Sequence, residues 1–402
     1  MTLNVVSELI SGRKAEFPAL PDAEDVAGMS RAIGHADSHR VNIGEGGAPF
    51  RFFTALAASI PGLDLTLTTR RPLIRRPHAI LFNTLREAGA DIRSIRRPDR
   101  PPLHIIGRLL DPPPLRIDPG VSSQFISALM MAAPLWKSGL DLTFEGANPV
   151  SLPYLRMTGE VMKRFGCEVM MDDDRIRVAP GKCIAPAEYK IPTDWSAASY
   201  FYELALLLPG KRIPLQHLTP PAESLQGDAE CAGIFRHLGV MTLYDSIDDH
   251  YYLYLPTSAS ESLKNREATY VIDLNGTPDL APALAVGFCL AGIRFRFENV
   301  AHLRHKETDR MAALETELRK LGYVIRTGTD SMDWDGATCR PEEHPVISTY
   351  SDHRMAMAFA PAAVRYPGLT IEHPEVTVKS FPCYWEMLER IGFQLSEVKI
   401  TE

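Results

Sequence analysis

The chain has 402 residues, 45% of them hydrophobic, which suits two sizeable domains rather than one giant core. Its 43 Lys and Arg are outnumbered by 50 Asp and Glu, for a formal charge of -7. No global cationic field exists to collect nucleic-acid phosphates, so any anionic ligand must be held by a local cluster. The six cysteines include no Cys-x-x-Cys pair and no histidine at zinc-site spacing. No apolar run reaches the ~18 residues of a membrane span, and together these features predict a soluble, cytoplasmic protein with reduced thiols.

In chain order, one pattern recurs: a helix-like segment, an apolar residue, a glycine, then a β-prone run. The first instance is SRAIGHAD with Gly34, after which LDLTLTTR (63–70) alternates as a half-buried strand does. LREAGADI repeats the glycine signal at Gly89, and the basic run RSIRRPDR (93–100) reads as a Pro-broken surface loop. SSQFISALMMAAPLW (122–136) is an apolar helix with a polar opening, LDLTFEG (140–146) a strand, and MKRFGCEV carries Gly166 before the strand RIRVAP (175–180).

A break near Pro192 divides the chain into a first α/β domain, 1–192, and a second, 193–402. The second opens with the helix DWSAASYFYELALLL (194–208), then FRHLGVMT with Gly239 and the strand YYLYLP (251–256). IRFRFENV (293–300), LRKLGYVI with Gly322, the helix DHRMAMAFAPAAV (352–364), LTIEHP (369–374) and LERIGFQL with Gly392 complete it. Glycine accepts the left-handed conformation that ends a helix, and basic residues in the last turn suit the dipole. Six such signals at intervals of roughly 55 to 85 residues predict six copies of an αβ unit, interleaved as in a layered α/β architecture.

Four polar stretches are read as helix starts: Ser122-Ser123-Gln124, Asp194-Trp195-Ser196, Lys306-Glu307-Thr308-Asp309-Arg310 and Ser351-Asp352-His353-Arg354. Capping alone accounts for Ser122, Asp194 and Ser351. Met311, Leu314, Leu318 and Leu321 share one face of the third helix, which brings Glu307 and Lys306 onto the same surface as Arg310. Lys306, Arg310 and Arg354 are cations where the helix dipole disfavours them, a misfit that an anion between them would relieve. The residues by themselves point to an anion-binding α/β protein in which Glu307, Asp279 or His353 would serve as acid or base. A turn after Pro278 also accounts for Asp279, and hydrogen bonding at a helix start for His353.

Nine stretches in order, GEGGAPFRF (44–52), RRPHAIL (75–81), SSQFISALMMAAPL (122–135), PVSLPYL (149–155), DWSAASYF (194–201), TPDLAP (277–282), KETDRM (306–311), SDHRMAMAF (351–359) and VKSFPCYW (378–385), resemble the 5-enolpyruvylshikimate-3-phosphate synthase family. They span nearly the whole chain. KETDR with DHRMAM separates this family from its sister, the UDP-N-acetylglucosamine enolpyruvyl transferases. The resemblance implies two inside-out α/β domains, each of three βαβαββ units, that close over the substrates.

It also implies a reaction: transfer of enolpyruvyl from phosphoenolpyruvate to the 5-hydroxyl of shikimate 3-phosphate, with release of phosphate, a transferase step of the shikimate pathway toward chorismate and the aromatic amino acids. Addition needs a proton at the enol methylene and a base on the hydroxyl, and elimination reverses those duties. By resemblance Glu307 donates the first proton, Asp279 takes the second, and Lys379 and His353 belong to the same catalytic group. Phosphoenolpyruvate falls to Gly47, Arg76, Gln124, Arg310, Arg354 and Lys379, arginine's planar fork suiting carboxylate and phosphate. Shikimate 3-phosphate falls to Ser122, Ser123, Gln124, Ser151, Tyr154, Asp279, His302 and Lys306. No metal or cofactor is implied, because protons and fixed charges suffice. The expected chain is a monomer that acts on small molecules, without nucleic-acid or membrane partners.

The sequence departs from the family pattern in several places. The family's initial PGSKSxSNR stretch has no counterpart, so the first unit is expected to be truncated at its N-terminus. A weakly active or non-catalytic, ligand-binding relative is the alternative reading. Glu45 and Ala48 replace the usual Asn and Thr of the substrate loop, His302 a frequent Asn, and Leu152 a frequent Lys.

Overall fold

The computed structural model describes residues 1–76, 78–118, 120, 122–146, 150–216, 218–264 and 268–397. Pro77 of RRPHAIL and Pro149 of PVSLPYL therefore lie outside the described residues. The chain divides into two compact units, Met1–Ile191 and Pro192–Glu402.

In the first unit, strands β1 (Arg40–Asn42), β2 (Asp64–Thr68), β3 (Asp91–Ser94) and β4 (Leu103–Ile106) form a sheet in the order β1-β2-β4-β3. β1 and β2 are parallel, while β4 runs antiparallel to both its neighbours. Strands β5 (Leu115–Ile117), β6 (Leu140–Phe144), β7 (Val169–Met171) and β8 (Arg175–Val178) repeat that order as β5-β6-β8-β7. Parallel neighbours require a crossover, and a helix supplies it each time: Gly47–Ala58 between β1 and β2, Ser123–Ala132 between β5 and β6. A second helix then leads to a closing hairpin, which makes each sheet one βαβαββ repeat.

The second unit opens with the antiparallel strands β9 (Arg212–Leu215), β10 (Met241–Asp245) and β11 (His250–Tyr254), ordered β10-β11-β9. A complete third copy of the repeat follows in β12 (Tyr270–Asp273), β13 (Phe295–Glu298), β14 (Arg326–Thr327) and β15 (Ser331–Trp334), ordered β12-β13-β15-β14. Strands β16 (Val346–Ile347) and β17 (Thr370–Ile371) form a short parallel pair.

The first helix of each repeat is the buried one. Trp195–Leu207 and Ala281–Ala291 bury nearly every residue, as do Gly47–Ala58 and Ser123–Ala132 in the first unit. A helix apolar all round belongs inside, so each unit places helices at its centre and sheets outside. The second helix of each repeat shows one apolar face instead. In Arg310–Lys320, Met311, Leu314 and Leu318 are fully buried, as their spacing requires.

These second helices end at the predicted glycines. Gly89, Gly166, Gly239, Gly322 and Gly392 take φ of 96°, 68°, 90°, 91° and 110°, which a Cβ would strain. Gly34 departs from the expectation: it is the last residue of Glu24–Gly34 and is not among the glycines at positive φ. The chain leaves there through His35 at φ -119°, whose N–H donates to the Arg31 carbonyl, so no left-handed residue is needed.

Other expectations are shortened. The helices read over 122–136 and 352–364 change to 3₁₀ turns at Ala133 and Ala360, each one residue before a proline that has no N–H for the α-helical ladder. LTIEHP pairs only over Thr370–Ile371 before His373 turns at φ 51°. In RSIRRPDR, Arg93 and Ser94 belong to β3 and the loop begins at Ile95.

Candidate active site

In the second unit, the polar stretches collect beside the buried helices. The KETDR segment is not a helix start as expected. Residues Ala301–His305 form a 3₁₀ turn, Lys306, Glu307 and Thr308 follow in extended and bent backbone, and the helix begins at Arg310. Its cap is Asp309, which accepts from the Ala312 N–H at 3.1 Å. Asp194 caps its helix through the Ser196 N–H and Ser122 caps through that of Gln124. At the fourth stretch the cap is Asp352 rather than Ser351. Ser351 sits at φ 58°, which turns its side chain out of the cap position, and Asp352 accepts from the Arg354 N–H at 2.9 Å.

Arg310 is the centre of this arrangement, 1% exposed with three carboxylates on its fork. Its Nη1 donates to Asp279 Oδ1 at 2.8 Å, its Nη2 to Glu307 Oε2 at 3.0 Å and its Nε to Asp352 Oδ2 at 2.7 Å. Arg354 Nη2 donates to the other oxygen of Asp279 at 2.9 Å, and Lys306 Nζ reaches Asp279 Oδ1 at 3.3 Å. Lys379 Nζ donates to Glu307 Oε1 at 2.6 Å. Four cations and three carboxylates thus share one largely buried cluster, and the protein's own carboxylates relieve the helix-start misfit.

The electrostatics sort these groups by role. Burial pushes the Asp279 carboxyl up, but Arg354, Lys306 and Arg310 outweigh it and hold it well below the usual carboxylate range. Asp352 is likewise raised by burial and lowered further by Arg310, so it stays ionised as the anchor of that arginine. Burial lowers Lys306, against the pull of Asp279. His353 is pushed down to about 3, by burial first and by Lys379 next, so it is a neutral imidazole at ordinary pH. Its Nδ1 lies 3.6 Å from Asp352 Oδ1, too long for a hydrogen bond, and is buried without a partner among the described residues. His302 is lowered to about 4 by burial and by Lys306, and its buried Nε2 also has no described partner.

The first unit holds a smaller polar group. Gly47 opens the helix Gly47–Ala58, and a Cβ there would lie 2.9 Å from Arg76 Nη1, 3.0 Å from Arg51 Nη1 and 3.5 Å from Gln124 Oε1. Arg51 donates to Gln124 Oε1, and its guanidinium stands 4.8 Å from the centre of the Phe125 ring. The sequence reading omitted Arg51, a buried charge one turn after Gly47 within GEGGAPFRF. That i, i+4 spacing to the glycine of the expected substrate loop was the available signal. Ser122 and Ser123 begin the same helix as Gln124. Ser151, at φ 60°, and Tyr154 begin the helix Leu152–Arg164, which joins Ser123–Ala132 through a 2.8 Å hydrogen bond between the Ser127 and Thr158 hydroxyls. Glu45, the acid that departs from the family loop, is exposed.

Chemically, the second unit offers two carboxylates bridged by a fixed arginine, a lysine on each of them and a further arginine beside one. Such a group can exchange protons at two points and bind a multiply charged anion. Among the described residues no group of three His, Cys, Asp or Glu is placed to hold a metal ion, and no helix is long and apolar enough to cross a membrane.

The family profile of EPSP synthase (3-phosphoshikimate 1-carboxyvinyltransferase) matches residues 17–388. The 3-phosphoshikimate 1-carboxyvinyltransferase of Bacteroides fragilis is 39% identical over 378 residues, covering 93% of this chain and 88% of that protein. Its counterpart in Methanothrix thermoacetophila is 33% identical over 371 residues, covering 92% and 83%. A solved EPSP synthase from Acinetobacter baumannii superposes with a TM-score of 0.69 at 19% identity, over 98% of this chain and 94% of that one, a likeness of fold.

Proposed function

The chain belongs to the EPSP synthase family, and from that premise we propose that the cluster around Arg310 carries out its proton transfers. The enzyme transfers the enolpyruvyl group of phosphoenolpyruvate to the 5-hydroxyl of shikimate 3-phosphate and releases phosphate, a step of the shikimate pathway toward aromatic amino acids. Asp279 is the base for the hydroxyl and Glu307 the acid for the enol methylene. The observation that carries this assignment is the shared fork of Arg310, 2.8 Å from Asp279 and 3.0 Å from Glu307. One buried, rigid cation sets the distance between the two proton-transfer points and keeps both carboxyls oriented.

Asp279 is a weak base while three cations face it. Phosphoenolpyruvate brings a phosphate and a carboxylate that compete for Arg310, Arg354 and Lys379, and drawing Arg310 and Arg354 away raises the basicity of Asp279 when the hydroxyl is present. Lys379, bonded to Glu307, is placed to return the proton that Glu307 gives up, and neutral His353 and Lys306 complete the polar surroundings. His302, with an unpartnered Nε2, is a donor or acceptor for shikimate 3-phosphate.

In the first unit, Gly47 lets Arg76, Arg51 and Gln124 approach the helix start, where the free N–H groups favour an anion. Ser122, Ser123, Ser151 and Tyr154 provide hydroxyls for shikimate 3-phosphate. The reading includes a cytoplasmic location, because phosphorylated substrates are retained inside the cell by their charge, and a monomeric chain.

Phosphate release from phosphoenolpyruvate is the test. Release that depends on shikimate 3-phosphate, and falls by about 10²-fold or more in Glu307→Gln, is the expected result. Glu307→Gln with unchanged turnover would remove Glu307 from the acid role.

A further inference from the structure

Outside the cluster just described, the first unit contains a cavity of about 540 Å³ whose walls carry five arginines: Arg40, Arg75, Arg96, Arg97 and Arg100. None of the residues assigned to the two substrates lines it. It lies between the end of β1, the segment after β2 and the loop that joins β3 to β4.

The charge there is uncompensated by design of the local contacts. No described carboxylate forms an ion pair with any of the five arginines. The only acid in the 95–102 loop, Asp99, is drawn off by Arg86, whose Nη1 lies 3.0 Å from Asp99 Oδ1. Asp91, at the base of the hairpin, is held by Arg93 and Arg108. Arg100 Nη1 reaches the carbonyls of Ile74 and Arg75 at 3.3 and 3.4 Å, which ties the hairpin loop to the segment after β2 and fixes the two walls relative to each other. A second hydrogen bond, from the Ile95 N–H to the Pro102 carbonyl at 2.9 Å, closes the loop.

Like charges gathered on three separate elements of a chain with net charge -7 repel one another unless something anionic lies between them. The rest of the lining defines what that is. Ile74, Pro101 and Pro102 give the cavity an apolar wall, and Thr68 and Thr69 spend their hydroxyl protons on the Val41 and Gly44 carbonyls. The volume falls in the range of small-molecule sites, roughly 300–1,000 Å³. A bare phosphate would leave the apolar wall unused.

We propose that this cavity is a second anion site, which takes a small phosphate ester: two or more negative charges on the arginine forks and a flat or apolar body against Ile74, Pro101 and Pro102. Guanidinium forks match phosphate bidentately and stack on planar groups, so both parts of such a ligand have partners.

Adenosine 5′-diphosphate is a suitable probe, titrated calorimetrically into the whole chain without divalent metal and with shikimate 3-phosphate present to occupy the substrate site. The expected result is binding that weakens with salt and is lost by about tenfold or more in R96E/R97E, whose turnover and KM values stay at those of the parent. R96Q/R97Q, which removes charge without reversing it, loses less in the same direction and guards against a folding effect of the reversal. Absence of binding to the parent chain, or binding that both variants retain undiminished, overturns the proposal.

Discussion

Arg310 and Asp279 stand 31 residues apart in sequence and meet at 2.8 Å, guanidinium Nη1 to carboxylate Oδ1. The pairing ties the start of the helix Arg310–Lys320 to the turn that precedes Ala281–Ala291, two elements of one βαβαββ repeat. Removing either partner therefore has different consequences. Asp279→Asn keeps the shape and loses the proposed base, so kcat falls by about 10²–10⁴-fold with little change in stability. Arg310→Met leaves Asp279, Glu307 and Asp352 without their shared cation and costs about 3–5 kcal/mol. Phosphate-release kinetics and urea midpoints on the two variants separate these effects; equal stability losses in both would contradict the division of roles.

Gly47 is sized for its neighbours rather than for its backbone, since it is not among the glycines at positive φ. In Gly47→Ala the new Cβ displaces Arg76 and Arg51, whose Nη1 atoms stand 2.9 and 3.0 Å from its position. Both are ends of flexible side chains, so stability changes by less than about 1 kcal/mol. The KM for phosphoenolpyruvate rises about tenfold while that for shikimate 3-phosphate moves little. A rise confined to shikimate 3-phosphate would reassign the residue.

Glu203 is fully buried in the second unit, and neither carboxylate oxygen has a described hydrogen-bond partner. Gly287 makes room for it: a Cβ there would come within 2.9 Å of Glu203 Cγ. Burial raises its carboxyl well above the ordinary value of 4.5, so the folded chain holds a proton that the unfolded chain releases. Its contribution is fully present below 4.5 and declines as pH rises toward the folded value. Glu203→Met, similar in volume, removes that loss and stabilises the chain at pH 7 by about 1–3 kcal/mol. A lower urea midpoint in the variant at pH 7 would count against this account.

His78 shows the opposite sign. It is buried between Phe50 and Phe82, stacked at 5.6 Å on the latter, and its Nε2–H donates to the Leu73 carbonyl at 3.0 Å. Burial, and then the field of Arg51, lowers it from 6.5 to about 3. The unfolded chain takes up a proton in that window and the folded chain does not. Stability is therefore intact above pH 6.5 and is lost on acidification toward about 3, with a slope near 1.4 kcal/mol per pH unit from this group. In His78→Phe the acid limb of stability against pH is shallower by one proton. An unchanged slope would mean that His78 titrates freely in the folded chain.

The sequence by itself determined the repeat and made the residues of the candidate site legible. Helices apolar on every side, such as Trp195–Leu207, can only be interior, and five of six marker glycines end helices because only glycine takes that backbone without strain. Asp279, Glu307, Arg310, Arg354 and Lys379 were legible as motif residues because their local stretches are distinctive. Local sequence also misled where chain geometry was needed. Ser351 looked like a cap but Asp352 is one, and the KETDR run looked helical although the helix begins at Arg310.

Only the tertiary structure decided which charges neutralise which. Nothing in KETDR announces that Arg310 also holds Asp352, 42 residues on, or that Arg86 draws Asp99 away from a cavity lined by arginines. Nor does the sequence show that Glu203 is sealed in the core beside a glycine, or that Arg51 is buried against Gln124. The reason is physical: helix and strand propensities act over a few residues, whereas charge pairing and desolvation act through space between elements that only the fold brings together.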